Sequence, residues 1–552
     1  MDHRSEGGEE GKVAGGERRA VRNDRSEGGE ETEAKAEERR AVWNDRSEGG
    51  EETEAKAEAG GGRDAKFGAR IRQRVTKEDA MERLQKPYFI VTPTNISHIQ
   101  ASVICGRKHG LPIRVRSGGH DYEGLSYRSE DGRPFLIVDL ANIRSVDVDP
   151  TTATAWVQAG ATLGELYYTI AENSRQLGFP AGICPTVGVG GHLTGGGFGT
   201  MLRKYGLAAD NILDAILIDA NGEVLNKDTM GEDLFWAIRG GGAASFGIVV
   251  SWKIKLVPVP PKVTVFTISR NLAQGAVDLV TKWQSIAPKL HENLFIRIVI
   301  TKEAKEGGEM EVVASFNSLF LGQCEELLQL MEKSFFELRM KREDCKEMSW
   351  IQSVLYFAFY TNRIPLEDLL DRGTKPERFF KAKSDFVQEP VPSFLWGRMW
   401  GRFLEDEAGV LIMDPYGGTM NNFSDSATPF PHRQGNLYNL QYFVEWRENG
   451  TVPYNKHMKW VRKMYKEMSP YVSHNPRAAY MNYRDLDLGK NELDGNVTSY
   501  SKAKVWGLRY FKSNFERLAF IKGRVDPGDF FRNEQSIPPL LPQESSAGFS
   551  AT

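Results

Sequence analysis

The sequence predicts a protein of mixed strands and helices in at least two domains, on three observations. Its 552 residues exceed what one hydrophobic core serves, since single cores stop growing beyond about 250–300 residues. From Lys86 to Ser174, segments with strand alternation and segments with helical spacing follow one another. Beyond "VPVP" at Val257–Pro260, which marks a domain edge, long alternating runs return around one strongly helical stretch.

Taken in order, the first 66 residues are of a different kind. "ERRAVRNDRSEGGEETEAKAE" at Glu17–Glu37 recurs at Glu38–Glu58 with Arg22 replaced by Trp43, and "RSEGGEE" at Arg4 is a third, partial copy. Charged residues dominate and almost nothing is apolar, so residues 1–66 are expected to be disordered. No basic-then-apolar signal segment is present there. "KPYFIVTP" then reads as a short buried strand, and "ISHIQASVICGRKHG" as a helix closed by Gly110. "LPIRVR" at Leu111–Arg116 is a strand that runs into "SGGHDYEGLSY" at Ser117–Tyr127. Glycines at a strand end bring backbone close to a ligand. These residues alone equally allow a glycine-rich turn with a solvent-facing His120. "PFLIVDL", "TATAWVQAG" and "ATLGELYYTIAENS" continue the alternation.

Between Gly188 and Gly199, seven of twelve residues are glycine. Such a backbone has free N–H groups and no bulk, which suits a pyrophosphate or a flat ring, though a mobile loop has the same composition. Two nucleotide motifs are excluded: no G-x-G-x-x-G opens a helix with an acidic residue some 20 positions on, and no G-K-[ST] follows. A net charge of −3 gives no basic surplus for nucleic acid. No run of 18 apolar residues exists to span a membrane. Cys105, Cys184, Cys324 and Cys345 contain no C-x-x-C pair, against a zinc site. Sequons begin at Asn95, Asn422, Asn449 and Asn496, a weak pointer to a secreted glycoprotein.

Six stretches together carry a resemblance: "RSGGHDYEGLSY", "CPTVGVGGH", "MGEDLFWAIRGGG", "TPFPHRQGNLYNLQY", "YMNYRDLDLGK" and "VDPGDFFRNEQSIPPL". From about Leu84 to Leu540 the chain resembles the berberine bridge enzyme-like oxidases of plants, flavoproteins with the p-cresol methylhydroxylase type of FAD domain. The resemblance implies an α+β fold, with an FAD-binding domain at residues 84–260 completed by a C-terminal segment at 479–541. Residues 261–478 would form a substrate domain with a large antiparallel sheet backed by helices. "KVTVFTIS", "NLFIRIVITK", "EMEVVASFNSLFLG" and "NLYNLQYFVEW" alternate accordingly, and "CEELLQLMEKSFFEL" has helical spacing. The active site would lie in the cleft between sheet and flavin.

In this family, the histidine at the place of His120 bonds to the 8-methyl group of FAD, and the cysteine at the place of Cys184 to the ring's 6-position, so a bicovalent flavin is implied. Imidazole and thiolate are suitable nucleophiles for an electron-poor ring. The motifs put Arg116, Ser117, Gly118, Gly119, Thr186, Val187, Gly188, Gly191, His192, Gly195, Gly196, Gly197, Ile248 and Asn482 around the cofactor. Tyr122, Gln441 and Tyr483 become the candidates for chemistry, with Asn439 on the same face as Gln441. Tyr483 occupies the place of a tyrosine base in cannabinoid synthases of the family. Its phenol would need a lowered pKa to work near neutrality. Valine at the place of Val187 goes with rapid reaction with dioxygen.

The chain also departs from the pattern. Alkaloid-cyclising relatives have Glu where it has Gln441, and an amide cannot take a phenolic proton. Monolignol-oxidising relatives have Tyr at the place of Phe198 and Lys at that of Asn439. The family's disulfide to the position of Cys105 lacks its N-terminal partner, so Cys105 is expected outside a disulfide. A secretory location follows from the resemblance, without a signal peptide to support it. The expected activity is that of a monomeric FAD oxidase taking hydride from an alcohol carbon, in a sugar or a phenolic alcohol, and giving hydrogen peroxide from dioxygen. Oxidative cyclisation of a specialised metabolite, or flavin binding with little turnover, are the alternatives.

Overall fold

The computed structural model of the protein describes residues 86–541, apart from 131, 306, 360–363 and 374–377. The repeat at residues 1–66 lies outside the described residues. The fold is α+β, as the sequence predicts, and three sheets carry it. In the first, β1 (Phe89–Val91), β2 (Ile113–Arg116) and β3 (Leu136–Asp139) run parallel in the order β1-β3-β2. The stretch "KPYFIVTP" was expected to be buried, but β1 is an edge strand, with Phe89 and Ile90 57% and 50% exposed. The apolar run is legible as a strand, but no sequence period says which strand is outermost.

The second sheet is antiparallel: β4 (Val146–Asp149), β5 (Thr154–Gln158), β7 (Ile212–Ile218), β8 (Val224–Leu225) and β9 (Ile248–Lys255), ordered β4-β5-β9-β7-β8. Between these, β6 (Leu177–Gly178) pairs with β10 (Val257–Pro258). Helix Leu163–Asn173 starts in a capping box, Thr162 Oγ1 accepting from Glu165 N and Glu165 from Thr162 N. Its buried residues Leu163, Leu166, Tyr167 and Ile170 fall on one helical face against this sheet. The core that forms here also takes in Trp506, Phe511, Phe515, Leu518 and Ile521 from helices Tyr500–Phe511 and Asn514–Val525 near the C-terminus.

The third sheet has seven antiparallel strands: β11 (Val263–Asn271), β12 (Leu294–Ala304), β13 (Met310–Phe320), β14 (Lys346–Met348), β15 (Phe379–Val387), β16 (Val410–Pro415) and β17 (Tyr438–Trp446). Their order is β14-β11-β13-β12-β16-β17-β15. On one face, Tyr438, Leu440, Tyr442 and Val444 of β17 join a second core with helices Ala276–Ile286, Cys324–Ser334 and Thr451–Met468. The other face turns toward the first two sheets. It carries Asn439, Gln441 and Phe443 of β17, with Asp414 and Ile412 of β16 opposite Asn439 and Gln441. Cys324 and Cys345 form a disulfide that ties the start of helix Cys324–Ser334 to the approach to β14. Cys105 is exposed and outside any disulfide. Among the described residues, no helix is long and apolar enough to cross a membrane.

Candidate active site

Two loops meet where backbones touch. The loop after β2 and the loop before the short helix Val189–Thr194 press together at Gly118 and Gly188. A Cβ on Gly118 would fall 2.3 Å from Gly188 N, and one on Gly188 would fall 2.1 Å from Gly118 N. No residue with a side chain fits either position. Ser117 Oγ donates to Ala159 O at 2.5 Å, and Thr186 Oγ1 lies 3.0 Å from His120 Nε2. At the strand end, Arg116 Nε donates to Asp139 Oδ2 at 3.0 Å. The loops thus hold His120 and the Cys184 turn side by side. Cys184 lies outside any disulfide.

The glycine-rich segment divides its work. Most of its glycines serve the protein's own packing: a Cβ on Gly195 would meet Asn482, one on Gly196 would meet Phe430, and one on Gly197 would meet His192. Gly191 is exposed, with nothing within 4 Å of the place a Cβ would occupy. Gly191 in that short helix, and Gly119 with only Arg116 near the place of a Cβ, are backbone that a cofactor could approach. Inward, His192 Nε2 accepts from Gly182 N at 2.9 Å, and burial holds its imidazole down at about 4. Asn482 Nδ2 donates to His192 O at 3.0 Å and Tyr480 OH at 2.8 Å, so these two act as struts of the loop. Ile248 is fully buried at the start of β9.

The three residues expected to carry chemistry come together. Gln441 Nε2 on β17 donates to Tyr122 OH at 2.8 Å. The Tyr122 and Tyr483 rings lie nearly parallel, 5.5 Å apart. Phe198 packs edge-on to Tyr483 at 6.1 Å, and Asn439 donates through Nδ2 to Asp385 O at 3.0 Å. Charges fasten both tyrosines from either side. Asp121 Oδ2 takes Arg484 Nε at 3.0 Å, and Glu123 takes Lys381 of β15. Lys381 and Lys383 then reach Asp485 at 2.8 and 2.6 Å.

A base at Tyr483 would need a lowered pKa to work near neutrality, but burial, then the Asp414 charge and Tyr122, push its phenol well above the ordinary value, with Arg297 pulling the other way. Burial likewise pushes Tyr122 up, with Cys184 adding to it. Desolvation disfavours a phenolate before any partner acts. Sequence reasoning missed Arg297 and Asp414, which pair through Nε and Oδ1 at 2.6 Å on this sheet face. The available signal was a lone charge in each of two apolar strands, "LFIRIVI" and "VLIMDP".

With this geometry in view, the comparisons are consistent. An FAD binding domain model matches residues 87–227, and a model described as berberine and berberine like matches residues 479–538. Berberine bridge enzyme-like Cyn d 4 of Cynodon dactylon is 56% identical over 83% of this chain and 85% of its own. A tetrahydroberberine oxidase of Argemone mexicana is 52% identical, over 83% of each chain. The crystal structure of Bermuda grass isoallergen BG60 shares 55% identity and a TM-score of 0.79, over 83% of this chain and 92% of that one. Phl p 4, a grass pollen allergen with glucose dehydrogenase activity, shares 50% identity and a TM-score of 0.79 over the same shares of the two chains. The fold and the paired loops are those of an FAD-binding oxidoreductase acting on a small molecule. The chain belongs to the berberine bridge enzyme-like family.

Proposed function

We propose that the protein is an oxidase that takes hydride from an alcohol carbon, with FAD held by His120 and Cys184 and with Tyr483 receiving the hydroxyl proton. The observation that supports this most is the assembly of Tyr122, Gln441 and Tyr483 beside the loops that carry His120 and Cys184. Bound FAD would supply the hydride acceptor and hand the electrons to dioxygen, giving hydrogen peroxide. The protein's own part is proton handling and pose. Loss of hydride from a carbinol carbon requires the O–H proton to leave too, and Tyr483 is the group set to take it. Gln441 donates to Tyr122 and so aims the Tyr122 hydroxyl as a donor toward substrate oxygen. Phe198, 5% exposed, keeps water from that side. A peroxide-coupled screen of sugars, cinnamyl alcohols and alkaloids tests the reading, and the absence of turnover with every alcohol sinks it.

Two further results are expected. Acid-precipitated protein should stay yellow, and its digest should join the His120 and Cys184 peptides through FAD. His120→Ala or Cys184→Ala alone should keep the flavin through the remaining bond with slower turnover, whereas flavin released quantitatively from the wild type would remove both assignments. The acceptor is set at Val187, which is half-buried three residues past Cys184. Wild-type Phl p 4.0202 is a glucose dehydrogenase, and an isoleucine-to-valine variant of Phl p 4 is a glucose oxidase. A change of one methyl(ene) group can therefore decide whether dioxygen fits a packed site. Val187→Leu should slow reoxidation in air while sparing anaerobic flavin reduction. Persistence of reduced wild type for minutes in air would make the enzyme a dehydrogenase instead. The Cys324–Cys345 disulfide supports a secretory location, since such bonds persist in oxidising compartments.

A further inference from the structure

We propose that Asp414 and Asn439 form a hydroxyl-receiving pair on the active-site face of the sheet, which makes a polyhydroxylated sugar rather than a phenolic alcohol the preferred substrate. The proposal rests on the alcohol-oxidase reading above. Asp414 and Asn439 stand directly opposite each other on β16 and β17, and both are fully buried. Each keeps one acceptor atom without a hydrogen-bond partner: Asp414 Oδ2 and Asn439 Oδ1. The orientation of Asn439 is settled by its donor, because Nδ2 meets the carbonyl of Asp385. The hydroxyl of Tyr416, two residues along from Asp414, is buried without a partner as well.

Asp414 differs in this from two other Arg–Asp pairs among the described residues. Both oxygens of Asp210 take Arg433, at 2.7 and 2.8 Å, and one also takes Leu207 N. Both oxygens of Asp385 take Arg477, at 2.7 and 2.6 Å, and one also takes Tyr442 OH. These pairs are saturated, as a structural pair in a core requires. Asp414 gives only Oδ1 to Arg297. A carboxylate can accept but not donate, so its other oxygen calls for a donor, and so does the amide oxygen beside it.

The site also borders the reacting centre. The Asp414 charge acts on Tyr483, Tyr480 and Tyr416. Phe198 bridges Tyr416 and Tyr483, at 6.3 and 6.1 Å. Two adjacent acceptors without donors match neighbouring hydroxyls on a sugar ring. A cinnamyl alcohol brings one hydroxyl at the reacting carbon, which Tyr122 and Tyr483 already address, and its phenol lies far along the molecule. Arg297 balances the Asp414 charge, so a cationic alkaloid finds no net negative charge here, while a neutral sugar brings the donors that both acceptors lack.

The test uses the flavin-loaded enzyme and anaerobic flavin reduction by glucose, its monodeoxy analogues and a cinnamyl alcohol. In the wild type, removing either of two neighbouring ring hydroxyls should weaken binding at least tenfold, because a buried acceptor is then left unpaired. Asp414→Asn preserves the shape and an acceptor for Arg297. It should lower the ratio of kcat/KM for glucose over cinnamyl alcohol tenfold or more, mainly through KM, and move the pH profile of reduction to lower pH. Three results overturn the proposal: wild-type binding indifferent to which hydroxyl is missing, an unchanged ratio in Asp414→Asn, or turnover of cinnamyl alcohols or alkaloids without turnover of sugars. The deoxy-sugar series needs no variant, so a poorly folding Asp414→Asn leaves the proposal testable. Failure of the wild type on every alcohol would instead remove the underlying oxidase reading.

Discussion

Asp485→Ala should be among the most damaging single substitutions in the protein, although Asp485 touches neither proposed flavin anchor. Its carboxylate lies between two ammonium groups, Lys381 at 2.8 Å and Lys383 at 2.6 Å, and all three side chains are buried. Burial alone would lower the Lys381 pKa, but Glu123, Asp485 and Asp487 hold its ammonium well above the ordinary value. Asp487 is held below the usual carboxylate range against its own desolvation, by Arg462 and the two lysines. The signs give the pH window. A raised lysine pKa stabilises below about 10.5 and is lost as pH rises through the folded value. A lowered aspartate pKa stabilises above about 4 and is lost as pH falls. The cluster is therefore at full strength across neutral pH. Removing one partner from such a buried pair costs about 3–5 kcal/mol, since the desolvated charge stays behind. Thermal denaturation should show a clear drop in Tm for Asp485→Ala, and a double variant with Lys383→Met should recover part of it. A loss in the double variant equal to the sum of the two single losses would mean the charges are not coupled. Flavin reduction should slow as well, because Glu123 and Asp485 are chain neighbours of Tyr122 and Arg484, and Arg484 precedes Asp485 and follows Tyr483.

That cluster also explains what the sequence hid. β11, β12, β13 and β17 are legible because apolar residues alternate along them. β15 reads "FFKAKSDFV", with Lys381, Lys383 and Asp385 where a covered face should be apolar, yet all nine of its residues are buried. The missing partners, Glu123, Asp485 and Arg477, lie about 100 residues or more away in the chain. No local period reports a charge neutralised from so far off. The run "CEELLQLMEKSFFEL" was legible as a helix, but the helix stops at Ser334, where Phe335 turns to φ −151° and enters the core. The disulfide pairing of Cys324 with Cys345 was not read, since four cysteines allow several connectivities.

The candidate site was legible to the extent that motifs were. His120, Tyr122, Cys184, Gln441 and Tyr483 stand in long recognisable stretches, and Tyr122, Gln441 and Tyr483 meet in the structure. Arg297 and Asp414 stand in strands that look like core, so only the sheet register reveals that they share the Gln441 face. The glycines of Gly188–Gly199 were read as clearance for a ligand. At Gly195, Gly196 and Gly197 a Cβ would also meet the protein itself.

Tyr483→Phe should cut the rate of flavin reduction by about 100-fold or more, the usual scale of a lost general base, with little change in substrate binding. The ring would still stack on Tyr122 and pack against Phe198 and Tyr480, so the fold should survive. The wild-type pH profile carries the sharper consequence. A buried phenol, opposed by the charge of Asp414 and by Tyr122, is pushed above its ordinary value of about 10. Only the deprotonated form accepts the substrate's proton, so below that pKa the reduction rate should rise about tenfold per pH unit. No plateau should appear before about pH 10. This is a higher inflection than the motifs alone would suggest for a tyrosine base. In Tyr483→Phe the slope should flatten as the rate falls. The Arg297 charge draws Tyr483 down, so Arg297→Met should depress the rate at neutral pH further and push the profile still higher. A wild-type plateau near neutrality would mean that another group takes the proton. A Tyr483→Phe enzyme that reduces its flavin at nearly the wild-type rate would move the base elsewhere, with Tyr122 next to be tested.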